Sequence, residues 1–450
     1  MTRASGDYAT HLLGSLGCRA TPPTAAEHRH PALAWAASGA MALTGPADGA
    51  PVVAPGDLAG CARGAIEALQ ALAGDRCRAS IDGAALLGER AAILGLGRRG
   101  TISPGGACRL LETRAGWMAL TLAREDDLAL LPAWLGEPVR GDPWDFVAER
   151  VARRAARRLV ARARLLGLAA AEAVPPPRDV PRWCRSARLG TPLRRRLRVA
   201  PLVVDLSALW AGPLCTHLLE LAGAYVVKVE SVHRPDGARR GAPAFYDLLN
   251  ADKLSVALDL RSAADVARLR ALIASSDIVV ESARPRALAQ LGIDARALVA
   301  EVPGLTWLSI TGYGRVGRGA NWIAYGDDAA VAAGLVTATG AAVGRPLFCA
   351  DAIADPLAGM HAAVAALASW QRGGGQLVDV ALRDVVAHAA AFGAIRHDSP
   401  TEIRECAGGW EVVADGERQV VVPPRARSAA GAARPPGADT DTVLRGLVAA

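Results

Sequence analysis

The chain has 450 residues, of which 51% are apolar and 21% charged, and 51 basic against 44 acidic side chains give it a formal charge of +7. This balance excludes a disordered or collagen-like polymer and suits a packed protein of two or three domains. The modest positive excess fits anionic small ligands and does not by itself indicate nucleic acid.

In the N-terminal third, Glu149–Leu166 carries paired arginines at helical spacing and is predicted as one amphipathic helix with a solvated Arg face. Residues 174–200 are rich in Pro and Arg with little apolar period, and read as an interdomain linker. From there the pattern alternates. Leu202–Leu206 is a buried strand by its branched run, and Gly212-Pro213 opens a helix to about Leu221. Tyr225–Glu230, Leu254–Leu260, Asp277–Glu281 and Leu305–Thr311 are predicted strands, with helical stretches over Ser262–Ser275 and Pro285–Leu291. An Ala-rich helix follows over about Asp355–Trp370. After the turn Gly373-Gly374-Gly375 comes a final strand and helix to about Phe392. Strands alternating with helices imply a mostly parallel, doubly wound sheet. Residues 422–440 are irregular and precede a short helical tail.

The segment Ala37–Ala71 matches Ala333–Ala368 in apolar spacing, in a turn Gly, in an Asp before a helix and in a Leu-Ala-Gly step. It reads as an internal duplication that pairs Asp57 with Asp355.

Several motifs lose to plainer readings. GxGxxG occurs at Gly95–Gly100 and at Gly312–Gly317, but neither has the strand before and the helix opening at the third Gly that a dinucleotide fingerprint needs. The eight histidines show no metal-ligand spacing, and His28, His30 and His361 read as ordinary surface or core residues. The eight cysteines are scattered without CxxC and read as reduced thiols. No stretch reaches the ~18 strongly apolar residues of a membrane span, and the first residues lack the apolar core of a signal peptide. The expectation is a cytoplasmic protein without a resident metal. Asp355, just before a helix and followed by Pro356, reads as an N-cap whose carboxylate the helix amides hold ionised. Such a carboxylate can also be a nucleophile toward activated acyl groups.

Six segments in order carry a resemblance: VVDLSALWAGPLCTHLLELAGAYVVKVE (203–230), NADKLSVALDLRS (250–262), DIVVESARPRALAQLGID (277–294), LTWLSITGYGRVG (305–317), DPLAGMHAAVAALA (355–368) and GGGQLVDVALRD (373–384). Together they resemble the family III CoA-transferases, a group that includes formyl-CoA, carnitine and bile-acid CoA-transferases and the alpha-methylacyl-CoA racemases. The tail ARPPGADTDTVLRGL resembles the family's closing segment. The smaller domain expected between Phe392 and that tail is nearly absent, while residues 102–120 and 165–177 in the N-terminal half resemble parts of it. The chain thus looks like a fused or rearranged member. The expected division is 1–173 as a partial copy with the small domain, 174–200 as linker, 201–392 as the large domain, and 393–450 as a small-domain remnant and tail.

The resemblance implies a Rossmann-like CoA-binding sheet plus a smaller α/β domain. It implies an acyl-CoA:carboxylate CoA-transferase with a CoA thioester as substrate, a carboxylic acid as partner and no permanently bound cofactor. Members usually dimerise, so a homodimer or an intrachain pseudo-dimer is expected. Asp355 is then the nucleophile, and the amides of Gly105 and Gly106 stabilise developing negative charge. CoA contacts carry over to Trp210, Ala211, Leu258, Asp259, Leu260, Arg261, Ser282, Ala283 and Arg284. This chain departs from the family where Ser231, Ser282-Ala283 and Gln290 stand, and its glycine loop is short. Tyr325, also counted among the CoA-binding residues, occupies the position of the racemase histidine, which favours transfer over racemisation. A racemase-like epimerase and a non-catalytic CoA-binding protein remain the alternatives. Asp57 is either a second nucleophile or a relic of the repeat, and because its half lacks a CoA-binding sheet it reads as a relic or a cap.

Overall fold

The computed structural model describes residues 5–22, 29–193, 199–392 and 401–448. His28, residues 194–198 of the expected linker and residues 393–400 of the expected remnant lie outside them.

Among the described residues thirteen strands form three sheets. β1 (Cys108–Glu112), β2 (Trp117–Thr121) and β3 (Ala169–Glu172) make a small antiparallel sheet in the N-terminal half. The central sheet holds β4 (Cys184–Arg188), β5 (Leu202–Leu206), β6 (Tyr225–Ser231), β7 (Leu254–Leu258), β8 (Ile278–Glu281), β9 (Thr306–Thr311) and β10 (Gln376–Ala381), in the order β4-β10-β9-β8-β5-β6-β7. All its pairs are parallel except β4–β10. β11 (Glu402–Cys406), β12 (Gly409–Ala414) and β13 (Glu417–Val420) form a second small antiparallel sheet. The molecule is therefore α/β, with a Rossmann-like, doubly wound sheet and a smaller α/β unit.

Alternation along the central strands sorts their side chains to two faces. Val203, Val226, Ile278, Val280, Leu308 and Val378 join the larger core, with the helices Ala211–Leu221, Ala354–Gln371, Leu58–Ala73 and Ser5–Ser15. Val204, Val227, Val279, Trp307 and Leu377 face the other way, onto the helices Ala263–Ala274 and Ala295–Glu301. The Ala354–Gln371 helix is apolar all round because it is enclosed: it packs on both Ala211–Leu221 and Leu58–Ala73. Gly359 makes one of these contacts possible, since a Cβ there would stand 2.8 Å from the Ala211 carbonyl oxygen.

The N-terminal half is built into the same body. One face of the β1–β3 sheet is covered by the helices Leu131–Leu135, Pro143–Val151 and Ala156–Leu166. Its other face, through Cys108, Leu110, Ala119 and Ala171, packs on Val331, Val336 and Phe348 of the C-terminal half. This contact carries the glycine loop at residues 103–106 to the large sheet's helices.

Three expectations need correction. The expected linker contains β4, an antiparallel edge strand of polar and largely exposed residues that offers no apolar run to read. The Arg-rich stretch is two helices, broken at residues 152–155. Nor is its Arg face simply solvated: the Arg164 guanidinium lies 3.9 Å from the Trp322 ring centroid and 4.9 Å from that of Tyr313. Asp355 is not an N-cap. The helix starts at Ala354, the cap position is Ile353, and no side chain caps it.

The duplication ends in an asymmetry. Asp57 does cap its helix, its Oδ1 accepting the Gly60 N–H at 2.7 Å. Asp355 falls inside the first turn because the preceding chain folds tightly, with Ala350 at φ +54° and Ala352 at φ +42°. These left-handed alanines are uncommon and costly. They are held by the Ala350 N–H donating to Thr44 Oγ1 (3.0 Å) and the Ala352 N–H to Asp327 Oδ1 (3.0 Å).

Neither GxGxxG segment opens a helix at its third Gly. Gly95 closes the helix Glu89–Leu94 in the left-handed conformation, and the next helix after Gly317 begins at Gly326.

Candidate active site

Between Ala354 and Trp370 every residue is buried except Asp355. A polar side chain alone keeps solvent contact in a run that is otherwise enclosed. Freed from capping, its carboxylate accepts the Gly326 N–H. Gly326 is needed for this approach, since a Cβ there would stand 2.4 Å from Asp355 Oδ2 and 2.2 Å from the Ala352 carbonyl oxygen.

Around Asp355 the fold gathers charges that the sequence keeps far apart. Arg90, from the N-terminal half, forks onto Asp351, with Nε to Oδ2 at 2.7 Å and Nη2 to Oδ1 at 2.6 Å. Its guanidinium lies 5.1 Å from the Trp210 ring centroid. Asp327 accepts hydrogen bonds from the Ser103 hydroxyl and the Ala352 N–H, and so ties the glycine loop to the turn before Asp355. Gly105 lies against the same group, since a Cβ there would stand 3.1 Å from Arg90 Nη2 and 3.8 Å from Asp351 Oδ1. Gly106, at φ +80°, gives the loop its turn and lies beside Arg99.

Burial pushes the Asp355 carboxyl up to about 7; Arg90 opposes this, Asp327 and Asp351 add to it, and the Gly326 N–H opposes it. Asp327 also rises to about 7, through burial and then Asp351, against Arg90 and two hydrogen bonds. Asp328 rises to about 7 through burial, against the Tyr325 N–H and the Thr121 hydroxyl. Burial works against the charged form of Arg90, but the Asp351 carboxylate outweighs it and keeps the guanidinium protonated. The result is a cationic fork beside two carboxyl groups, Asp327 and Asp355, that are raised to about 7.

The residues expected at CoA converge on a second, adjoining region. Trp210 and Ala211 follow β5, Leu258–Arg261 follow β7, and Ser282–Arg284 follow β8, all at carboxyl ends of parallel strands. The order in which strands are added to the sheet reverses between β5 and β8, where a doubly wound sheet opens its ligand crevice. The Ala208 N–H donates to Ser282 Oγ across that gap at 3.0 Å. The loop leading to Trp210 is pinned from below: Lys228 Nζ donates to the Ser207 carbonyl (3.0 Å), and Asp236 accepts the Leu209 N–H (2.9 Å). Asp205 underlies it, fully buried; burial raises its pKa, but Lys253 and Lys228 hold it well below the usual range.

Trp210 is buried under Arg90, edge-on to Phe245 at 5.4 Å, and its indole N–H has no acceptor. Ala211 begins the Ala211–Leu221 helix, whose free amides face the crevice end of β5. Leu258 is buried, whereas Arg261 is exposed, its N–H donating to Asp259 Oδ1 at 2.9 Å. Asp259 also meets His233 at 3.1 Å, and Leu260 and Ala283 are half-buried. Arg284 is half-buried; burial lowers its pKa, and Arg286, Arg234 and Arg124 lower it further. Among the described residues no carboxylate pairs with Arg234, Arg284 or Arg286, while Arg124 pairs with Asp127. Tyr325 heads the helix Gly326–Ala332 beside Arg124 and donates its N–H to Asp328 Oδ1 at 2.8 Å.

Sequence reasoning missed Arg90, Asp351, Asp327, Asp328 and Ser103. Asp351 stands four residues before Asp355 and was visible, but its partner lies 261 residues away. Among the described residues no cluster of metal-binding side chains occurs, and no helix is long and apolar enough to cross a membrane.

The profile of CoA-transferase family III matches residues 201–421. Over 200 residues the chain is 32% identical to the succinate–glutarate CoA-transferase of Agrobacterium fabrum, covering 41% of this chain and 50% of that protein. Over 195 residues it is 31% identical to a formyl-CoA:oxalate CoA-transferase of Escherichia coli, covering 41% and 47%. A crystal structure of a CAIB/BAIF family protein from Brucella suis superposes with a TM-score of 0.41 and 26% identity, over 48% of this chain and 65% of that one. The chain spans about half the length of the curated relatives it matches. Residues 201–421 of the chain thus match CoA-transferase family III.

Proposed function

We propose that the chain is an acyl-CoA:carboxylate CoA-transferase with Asp355 as its nucleophile. The observation that carries this reading is the placement of Asp355: partly accessible at the head of an otherwise buried run to Trp370, in a helix with no side-chain cap, beside Arg90 and the glycine loop.

The crevice between β5 and β8 receives the CoA thioester. Arg234, Arg284 and Arg286, without a carboxylate partner among the described residues, meet its phosphates by charge-assisted bonds. The thioester carbonyl then reaches Asp355. A carboxylate oxygen of Asp355 attacks that carbon, the C–S bond breaks, and CoA leaves as thiolate, giving a mixed anhydride. The thiolate attacks the Asp355 carbonyl, releases the donor acid as carboxylate and leaves an aspartyl-CoA thioester. The acceptor carboxylate attacks that thioester and expels the thiolate, which then takes the new acyl group. Asp355 is restored and no proton is consumed. Each half replaces one hard exchange with two easier ones. The amide of Gly105 is the donor proposed for the oxyanions; that of Gly106, expected to share this role, instead donates to the Ser103 carbonyl at 2.8 Å and closes the loop's turn.

The interlocked halves support an intrachain pseudo-dimer. Racemisation is disfavoured by Tyr325, which interacts with Arg124 and Asp328 and whose phenol, made a weaker acid by burial, stays protonated at neutral pH and cannot serve as the base. The test is trapping. Wild-type protein incubated with acyl-CoAs and hydroxylamine is expected to carry a hydroxamate on Asp355 by peptide mass spectrometry, absent in Asp355→Asn. CoA binding without any such adduct would make the chain a non-catalytic binder. Exchange of the α-hydrogen with solvent deuterium, without an adduct, would make it an epimerase.

A further inference from the structure

Arg90 has more capacity than its ion pair uses. A guanidinium carries five N–H donors. Asp351 takes one from Nε and one from Nη2, and no other hydrogen bond from the Arg90 side chain is formed among the described residues. Both N–H groups of Nη1 and the second of Nη2 are therefore open. The side chain retains 26% of its exposure, while Asp351 retains none. The guanidinium side chain thus keeps solvent contact, whereas the carboxylate it is paired with is enclosed.

The group is also fixed in place. Asp351 grips it from one side and the Trp210 ring lies beneath it. Its neighbour Glu89, nearly fully buried, is gripped by Arg427 of the extended C-terminal segment through Nε (2.7 Å) and Nη2 (2.8 Å). Gly105 leaves room for the guanidinium beside the oxyanion loop. Its charge acts on Asp351, Asp327 and Asp355 together.

We infer that Arg90 is the docking point for the carboxylate of the acceptor acid. This rests on the transferase reading above. An incoming carboxylate must approach a spot already crowded with Asp327, Asp351 and Asp355, and a rigid cation with open donors offsets that repulsion. One acceptor oxygen accepts from Nη1. The other attacks the aspartyl-CoA carbonyl carbon at Asp355, and the C–S bonding pair leaves on the CoA sulfur. The product is a mixed anhydride, and Arg90 keeps its protons throughout. The N-terminal half then supplies two parts of the site, the oxyanion loop and the acceptor anchor.

The experiment uses the full chain with Arg90→Ala and Arg90→Lys, with donor and acceptor varied independently. Loss of a charged hydrogen bond is expected to raise the acceptor KM roughly 30-fold in Arg90→Ala, while the donor KM changes by less than about 3-fold because its phosphates bind elsewhere. Turnover falls as well, since Arg90 also acts on Asp355. Added guanidinium is expected to restore the acceptor KM of Arg90→Ala in part. Arg90→Lys keeps the charge without the fork, gives an intermediate acceptor KM, and serves if Arg90→Ala does not fold. Hydroxylamine trapping without acceptor separates the two ideas. A hydroxamate on Asp355 in the wild type, with both KM values unmoved or moving together in the variants, overturns the Arg90 assignment and leaves the transferase reading intact. Failure of the wild type to form any adduct overturns both.

Discussion

Replacing Asp351 by Asn tests the charge cluster directly. Asp351 is fully buried and holds Arg90 by two short bonds. Breaking one side of a buried ion pair costs about 3–5 kcal/mol, and the partial exposure of Arg90 brings the expected loss to about 2–4 kcal/mol. The same change should act on chemistry in two opposed ways. Arg90 loses its grip, so the plateau rate of acylation falls. Asp355 loses a like-charged neighbour, so its pKa moves down from about 7. A carboxyl with a raised pKa is ionised only above that value, so wild-type acylation rises as pH increases through about 7. In Asp351→Asn that rise moves to lower pH. A shift of about one unit would increase the ionised fraction about 5-fold at pH 6. Urea unfolding gives the stability term. The pH dependence of single-turnover CoA release gives the other. An unfolding midpoint equal to wild type, together with an unmoved acid limb, would refute the view that Asp351 couples Arg90 to Asp355.

Three further outcomes follow from other parts of the molecule. Asp57→Ala should cost about 1 kcal/mol, the worth of an N-cap, while peptide mapping still finds the hydroxamate on Asp355. Arg284→Gln should raise the KM for the CoA thioester roughly 10-fold, with a weaker salt dependence, and leave the acceptor KM unchanged. Ala352→Gly relieves a left-handed alanine that costs roughly 1–2 kcal/mol; its melting temperature should equal or exceed wild type while acylation slows, because the turn no longer aims Asp355. Equal losses of stability and rate would contradict that division.

The sequence made the parallel strands readable because each is buried on both faces, so runs such as LVVDL and IVVE carry no polar alternation to confuse them. β4 was hidden for the opposite reason: as an exposed edge strand of Cys, Arg, Ser and Ala it has no hydrophobic signature, and its partner β10 lies nearly two hundred residues away. The helix break at 152–155 lies in a stretch whose arginine spacing continues unbroken, so periodicity runs through it. Asp355 was found, but its local role was misread, because two alanines in a conformation that favours glycine start the helix early. Arg90 illustrates the harder limit. An arginine in a Gly-Glu-Arg step is unremarkable until folding lays it against Asp351, and only the packing of the two halves creates that meeting.

The chain's only two lysines have a consequence for its own chemical durability. Lys228 and Lys253 both lie in the interior, with side-chain exposures of 2% and 1%, tied to Asp236 and Asp205. Every other basic side chain of the Lys/Arg class is an arginine, whose guanidinium stays protonated and is a poor nucleophile. Thioesters and anhydrides acylate free amines readily. A surface whose positive charge is carried wholly by guanidinium offers them no side-chain amine, so a protein that handles activated acyl groups in this way is spared gradual modification of its own exterior.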